Sequence, residues 1–197
     1  MTGDDDKGYK LRQIDELSGA PPNNFTAGAC RLFAAKYHKH DSGLYIYGDP
    51  AGKHKDTRQE QGWNDFDIIY KELKNFAPVP RVGSSAAPVA LRGAFMNQLF
   101  QGLIPGLDFK ISTDCHSTIE DYLYIKEQAD GTKLKEKIRN ESGATFEKYG
   151  HRSDANDYLI TEAFKPIFEK FRSGDREIEI TTVTRDRGDR GESKSRF

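Results

Sequence analysis

Several carboxylates of this chain stand where layered α/β proteins do their chemistry. Asp49 follows the short apolar run Leu44, Tyr45, Ile46 and Tyr47 and opens the sequence Asp49, Pro50, Ala51, Gly52. A carboxylate just past a buried strand lies at the sheet edge where open α/β folds place ligands, although the same spelling also makes an ordinary Asp-Pro turn. His151 and Asp154 stand three apart at the head of a long helical pattern. Imidazole and carboxylate then share one face and can address one metal ion or one water. The competing account is structural, with Ser153 or Asp154 capping the helix and favouring its dipole. Asp157 extends that acidic face by one turn, and Asp114 follows a strand pattern at residues 109–112 as a further candidate metal ligand. Convergence of such groups suits Mg2+ or Mn2+. These hard ions take oxygen ligands, and in pairs roughly 3.5–4 Å apart they stabilise the attacking and leaving oxygens of a phosphodiester displacement.

Candidate cations accompany them. Lys53, Lys55 and Arg58, with Lys36, Lys39 and three histidines (His38, His40, His54), can contact phosphate, as can Arg152 beside His151. The same residues also fit a solvated surface. Gly48, Gly52 and Lys53 lack the spacing of a nucleotide-binding loop and the Ser/Thr after its lysine, so no ATPase site is expected. Ser84 and Ser85 have no His and Asp motif around them, which leaves nucleophilic hydrolase chemistry without a basis.

The elements that must position these groups are legible from periodicity. A strand is expected over 9–17, closed by Ser18, Gly19, Pro21 and Pro22, and then a helix capped by Asn24 or Thr26 with Phe25, Ala29, Phe33 and Tyr37 on one face. A buried strand over 44–47 runs into the Asp49 turn. A second helix starts at Asn64 or Asp65 and carries Phe66, Ile69 and Leu73. A short strand near 79–82 precedes a third helix led by Pro88, with Val89, Arg92, Met96, Leu99 and Phe100 in one stripe. A strand over 109–112 and a helix over 118–126 follow. Residues 133–149 are charged, contain Gly143 and suit a hairpin with polar faces. The longest helix opens at His151 or Ser153, with a kink expected at Pro166, and a last alternating strand passes through Ile178, Ile180 and Thr182. Strands alternating with helices imply a layered α/β sheet.

Composition sets the outer bounds. The 197 residues suit one domain, 36% hydrophobic and 31% charged, with 12 Phe and 9 Tyr to fill a core. The domain is expected over 1–184, followed by a mildly basic disordered tail over 185–197. A net charge of -1 makes any nucleic-acid contact a local matter. Cys30 and Cys115 lack CxxC spacing, so neither a zinc knuckle nor a disulfide framework is indicated. No membrane span or signal-peptide core is present in the sequence. Asp4, Asp5, Asp6 and Lys7 fit either part of a cleavable tag or a charged turn.

The order of these motifs resembles the nuclease half of phage large terminases, over about residues 8–165. A strand ending in Ile14, Asp15 and Glu16 leads to an Asn/Thr-headed helix over 23–37. Next come the strand and Asp-Pro-x-Gly turn of 45–52, a Gly-x-x-Asp-Phe helix start at 62–69 and a Pro-Val-x-x-Arg helix at 88–100. A strand leading to Asp114 and Cys115 follows, and then a His-x-Ser-Asp-Ala turn at 151–155, the most specific single piece.

The resemblance implies an RNase H-like fold, a mixed sheet flanked by helices, whose acidic cluster holds two divalent ions, Mg2+ or Mn2+, and cuts concatemeric DNA during genome packaging. Asp49 and Asp154 then look like metal-binding catalytic residues, and His151 like an auxiliary ligand or orienting group. The implied partners are double-stranded DNA, a small terminase subunit and a portal, in the cytoplasm of a phage-infected or prophage-carrying bacterium. In that family the first catalytic aspartate lies on an opening strand, in an Asp-Phe-Asn context, and an ATPase motor precedes it. Here only eight residues precede the strand at Tyr9. The first strands and the motor are therefore expected to be missing, with roughly millimolar metal binding and poor cleavage by the isolated chain. Two alternatives remain: another RNase H-like nuclease of resolvase or transposase type, and a non-catalytic packaging or DNA-binding subunit.

Overall fold

The computed structural model describes residues 8–19, 23–55, 62–139, 143 and 145–174. Arg58, the strand expected around Ile178, the tail over 185–197 and the acidic run at Asp4 lie outside them.

Strand β1 (Tyr9–Gln13) is followed by helix α1 (Thr26–Lys36), strand β2 (Leu44–Ile46) and a 3-10 turn at Pro50–Lys53. Neither expected cap serves α1: its N-cap is Phe25, which has no side-chain cap bond. Thr26 instead donates its hydroxyl to Asp65 at 2.8 Å, tying α1 to the head of α2 (Asp65–Glu72). At α2 the expectation is met in full. Asn64 accepts from the Asp67 amide, and the Asp67 carboxylate accepts from the Asn64 amide, both at 3.0 Å. Strand β3 (Pro78–Pro80) pairs parallel with β2. Pro88 is the N-cap of α3 (Val89–Phe100), and β4 (Leu107–Ile111) pairs parallel with β1, Tyr9 opposite Leu107 and Gln13 opposite Ile111.

Helix α4 (His116–Tyr124) leads into two small antiparallel pairs, β5 (Lys126–Glu127) with β6 (Lys133–Leu134) and β7 (Lys137–Arg139) with β8 (Thr145–Glu147). The charged stretch thus does fold into hairpin structure. The long terminal helix is broken where a kink was expected. Helix α5 (His151–Ala163) stops at Phe164 (φ -115, ψ 37), and α6 (Lys165–Ser173) restarts with Pro166 in its first turn. Proline has no N–H to give and its ring clashes with the carbonyl four residues back, so the turn at Phe164 is released.

Among the described residues the fold is therefore mixed α/β, with six helices and four two-stranded sheets. No helix among them is long and apolar enough to cross a membrane. The core lies between the β1–β4 pair and helices α3, α5 and α6. Phe95, Met96 and Leu99 of α3 meet Phe109 of β4, Ile160 of α5 and Phe168 of α6. Phe95 is wholly buried, its ring centroid 5.2 Å from that of Phe168 and 5.1 Å from that of Phe171. Burying such a ring contributes about 2–3 kcal/mol. The sequence stripe omitted Phe95 and included Phe100, whose ring is partly exposed and meets Tyr122 edge to face, centroids 4.8 Å apart.

Candidate functional site

Helix α5 carries most of the candidate chemistry, and two carboxylates at helix N-termini position it. Glu16, just past β1, accepts from the Ser117 amide (2.9 Å), the Thr118 amide (2.8 Å) and the Thr118 hydroxyl (2.7 Å) at the head of α4. Asp121 of α4 in turn accepts from the amides of Gly150, Arg152 (2.9 Å) and Ser153 (2.8 Å) at the head of α5. The first N–H groups of a helix have no intrahelical partner and sit at the positive end of its dipole, so a carboxylate there satisfies both demands. Gly150 supports the arrangement: its φ of 114 is a left-handed geometry that a side chain would strain. Burial raises the Glu16 pKa, but the Thr118 and Ser117 bonds and the nearby Arg152 outweigh it and hold the carboxyl below its ordinary value.

The face of α5 that follows is acidic and capped by lysines. Lys133 of β6 places its ammonium 2.9 Å from Ser153 Oγ, 2.9 Å from Asp154 Oδ1 and 2.7 Å from Asp157 Oδ2. Lys135 reaches the other oxygen of Asp154 at 2.9 Å and Glu147 at 3.1 Å. Burial works against ionisation of Asp154, yet the two lysines prevail and its pKa is lowered. Asp157 is the opposite case: burial pushes its pKa up against the pull of Lys133 and Arg92, and its Oδ1 has no hydrogen-bond partner among the described residues.

Asp49 joins this helix one turn further on. It caps the 3-10 turn, Oδ1 accepting from the Ala51 amide at 2.9 Å, which is the Asp-Pro turn read structurally. Its Oδ2 accepts from the Tyr158 hydroxyl, also at 2.9 Å. Tyr158 stands four residues after Asp154, on the same side of α5. The buried Arg92 guanidinium stacks 4.1 Å from the Tyr158 ring centroid, with Nε and Nη1 unpaired among the described residues.

The remaining sequence candidates scatter. His151 is 67% exposed, its Nε2 3.6 Å from Glu147. It therefore sits at the head of α5, outside the core. Asp114 is exposed, its amide donating to Ser112 Oγ at 3.3 Å. Lys53 donates to the carbonyls of Val82 and Gly83, both at 2.9 Å, clamping the Asp49 turn to the loop after β3. Lys55 is exposed, and Arg152 turns towards Ser18 (2.7 Å) and Glu16 (3.6 Å). Asp49 and Asp154 thus meet the same helix, while no group of three or more His, Cys, Asp or Glu able to hold a metal assembles among the described residues.

Comparison with protein-family models, curated proteins and solved structures returns no match.

Glu16, Asp121, Lys133, Arg92 and Tyr158 were not singled out for any site role from sequence. Only Glu16 carried a signal, through the acidic dipeptide it forms with Asp15. Asp121, Arg92 and Tyr158 read as ordinary helix residues, and Lys133 as one charge in a charged stretch.

Proposed function

We propose that this chain is the nuclease portion of a phage-type large terminase, with an RNase H-like fold, acting on double-stranded DNA with Mg2+ or Mn2+. The observation that carries the reading is the common anchoring of Asp49 and Asp154 on α5. The turn after β2 reaches α5 through Tyr158, and the His-x-Ser-Asp-Ala segment opens the same helix. The donors that do converge suit a hard divalent ion: Asp154, Asp157 and the Ser153 hydroxyl offer only oxygen, and Asp157 Oδ1 is buried without a partner among the described residues. A bound ion would supply Lewis-acid stabilisation of the attacking and leaving oxygens of the phosphodiester.

The chain's own residues orient and neutralise. Tyr158 and the Ala51 amide fix the plane of the Asp49 carboxylate. Asp121 and Glu16 hold α5 and α4 in register with β1, so that Asp154 stands at a fixed distance from the strand ends. Lys135 offsets the charge on Asp154.

Lys133 favours a second reading. An ammonium that already satisfies Asp154 and Asp157 suits a non-catalytic DNA-binding subunit that has kept the fold. Plasmid nicking separates the two. Slow cleavage at millimolar Mn2+ that disappears in Asp154→Asn supports the nuclease, since the neutral isostere removes charge and little packing. Retention of DNA without cleavage, or cleavage unchanged by Asp154→Asn, overturns the nuclease assignment.

A further inference from the structure

We propose that the Lys133 ammonium holds the position of a divalent cation, and that Mg2+ or Mn2+ enters the cradle of Ser153, Asp154 and Asp157 only by displacing it. The inference rests on reading Asp154 as a metal ligand and adds Asp157 as its partner and Lys133 as the competitor. Three oxygens converge on Nζ within 2.7–2.9 Å, a compact arrangement of hard donors around one positive centre. An ammonium is a point charge with three rotatable donors, so it fills such a cradle without any further metal-like geometry.

Two independent features point to exchange. Asp157 is fully buried, and its Oδ1 takes no hydrogen bond among the described residues. The lysine uses one oxygen of that carboxylate and leaves the other idle, whereas a divalent ion can use both. A cavity of 270 Å³, lined by Asp157, Lys133, Tyr122, Asn97 and Gly131, adjoins the cradle and gives both an ion and a departing side chain room.

The element bearing Lys133 is also easy to move. Strands β5 and β6 are two residues each, and their turn is held by Gln128, through its amide to Thr132 (2.8 Å) and its side chain to Thr132 (3.1 Å) and Lys133 (3.2 Å). A two-stranded hairpin this short opens locally at little cost. Lys135 keeps its grip on Asp154 Oδ2, so the carboxylate stays oriented when Lys133 leaves.

The test measures metal without DNA. Free Mn2+ is followed by electron paramagnetic resonance as it is added to the wild-type chain and to Lys133→Met. The variant should bind about tenfold more tightly, because no internal cation competes for the two carboxylates. Removing Lys133 leaves a buried carboxylate unpaired and can compromise folding. The wild-type chain is therefore also acetylated at its amines with and without Mn2+, and each lysine is quantified by mass spectrometry. Lys133 should be protected without metal and become reactive as Mn2+ saturates, while exposed Lys165 does not change. Lys133 labelling that ignores saturating Mn2+, or equal affinity in a folded variant, overturns the proposal. Competition without any plasmid cleavage would remove the nuclease reading and leave this one standing; cleavage without competition would do the reverse.

Discussion

The Tyr158 hydroxyl donates to Asp49 Oδ2 at 2.9 Å, fastening the turn after β2 to the middle of α5 across 109 positions of chain. With Oδ1 taken by the Ala51 amide, both oxygens of Asp49 are held. Tyr158→Phe removes one bond and keeps the ring under Arg92. Stability should fall by about 1 kcal/mol in urea unfolding. Metal-dependent nicking, where present, should need more Mn2+, because Asp49 is then held through Oδ1 alone. An unchanged Mn2+ requirement would show that Asp49 needs no help from α5.

Asp121 should matter more for stability than any residue of the acidic α5 face. Its carboxylate serves three amides at the head of α5 from a nearly fully buried position. Asp121→Ala leaves those donors unsatisfied, and a loss of about 3 kcal/mol is expected in chemical denaturation. A loss below about 0.5 kcal/mol would mean that α5 is held by its packing alone.

Glu16 introduces an acid sensitivity whose sign follows from its lowered pKa. A carboxyl with a folded pKa below its ordinary value of 4.5 stabilises the fold above that value, and the stabilisation is lost as pH falls through the folded pKa. Glu16→Gln should therefore cost stability at about pH 6, and the gap to wild type should narrow at about pH 3. Urea midpoints at the two pH values measure it. A gap that is constant with pH would assign the effect to the shape of the side chain and not to its charge.

Gly28→Ala tests a conflict between propensity and packing. Inside a helix this change ordinarily gains about 1 kcal/mol. At Gly28 in α1, a Cβ would lie 2.4 Å from the Asn23 carbonyl oxygen, a backbone atom that cannot rotate aside. Overpacking of this kind costs about 1–3 kcal/mol, so the variant should melt at a lower temperature than wild type. A higher melting temperature would show that the segment before α1 yields freely.

Much of the secondary structure was legible because the signals are local. The Asn64 capping box, the apolar stripe of α3 and the proline that divides α5 from α6 each act within a few residues. The caps of α1 were misread for the same reason. Thr26 has the right chemistry, but Asp65, 39 positions away, takes its hydroxyl. The alternation of strands and helices gave the mixed α/β class, but the one layered sheet it implied does not form among the described residues, whose strands make four separate two-stranded sheets, and no local signal marked β1 as the partner of β4.

The sequence by itself determined where Asp49, Asp154 and His151 stand, at turn and helix-start positions set by neighbouring residues. Tertiary structure alone decided what those groups meet. Lys133 on Asp154 and Asp157, Asp121 on the α5 amides, Glu16 on the α4 amides and Tyr158 on Asp49 span separations from 21 to 109 positions. No periodicity or turn rule reaches that far. A buried polar group must find a partner wherever packing leaves one, so the identity of that partner is settled by how the helices stack.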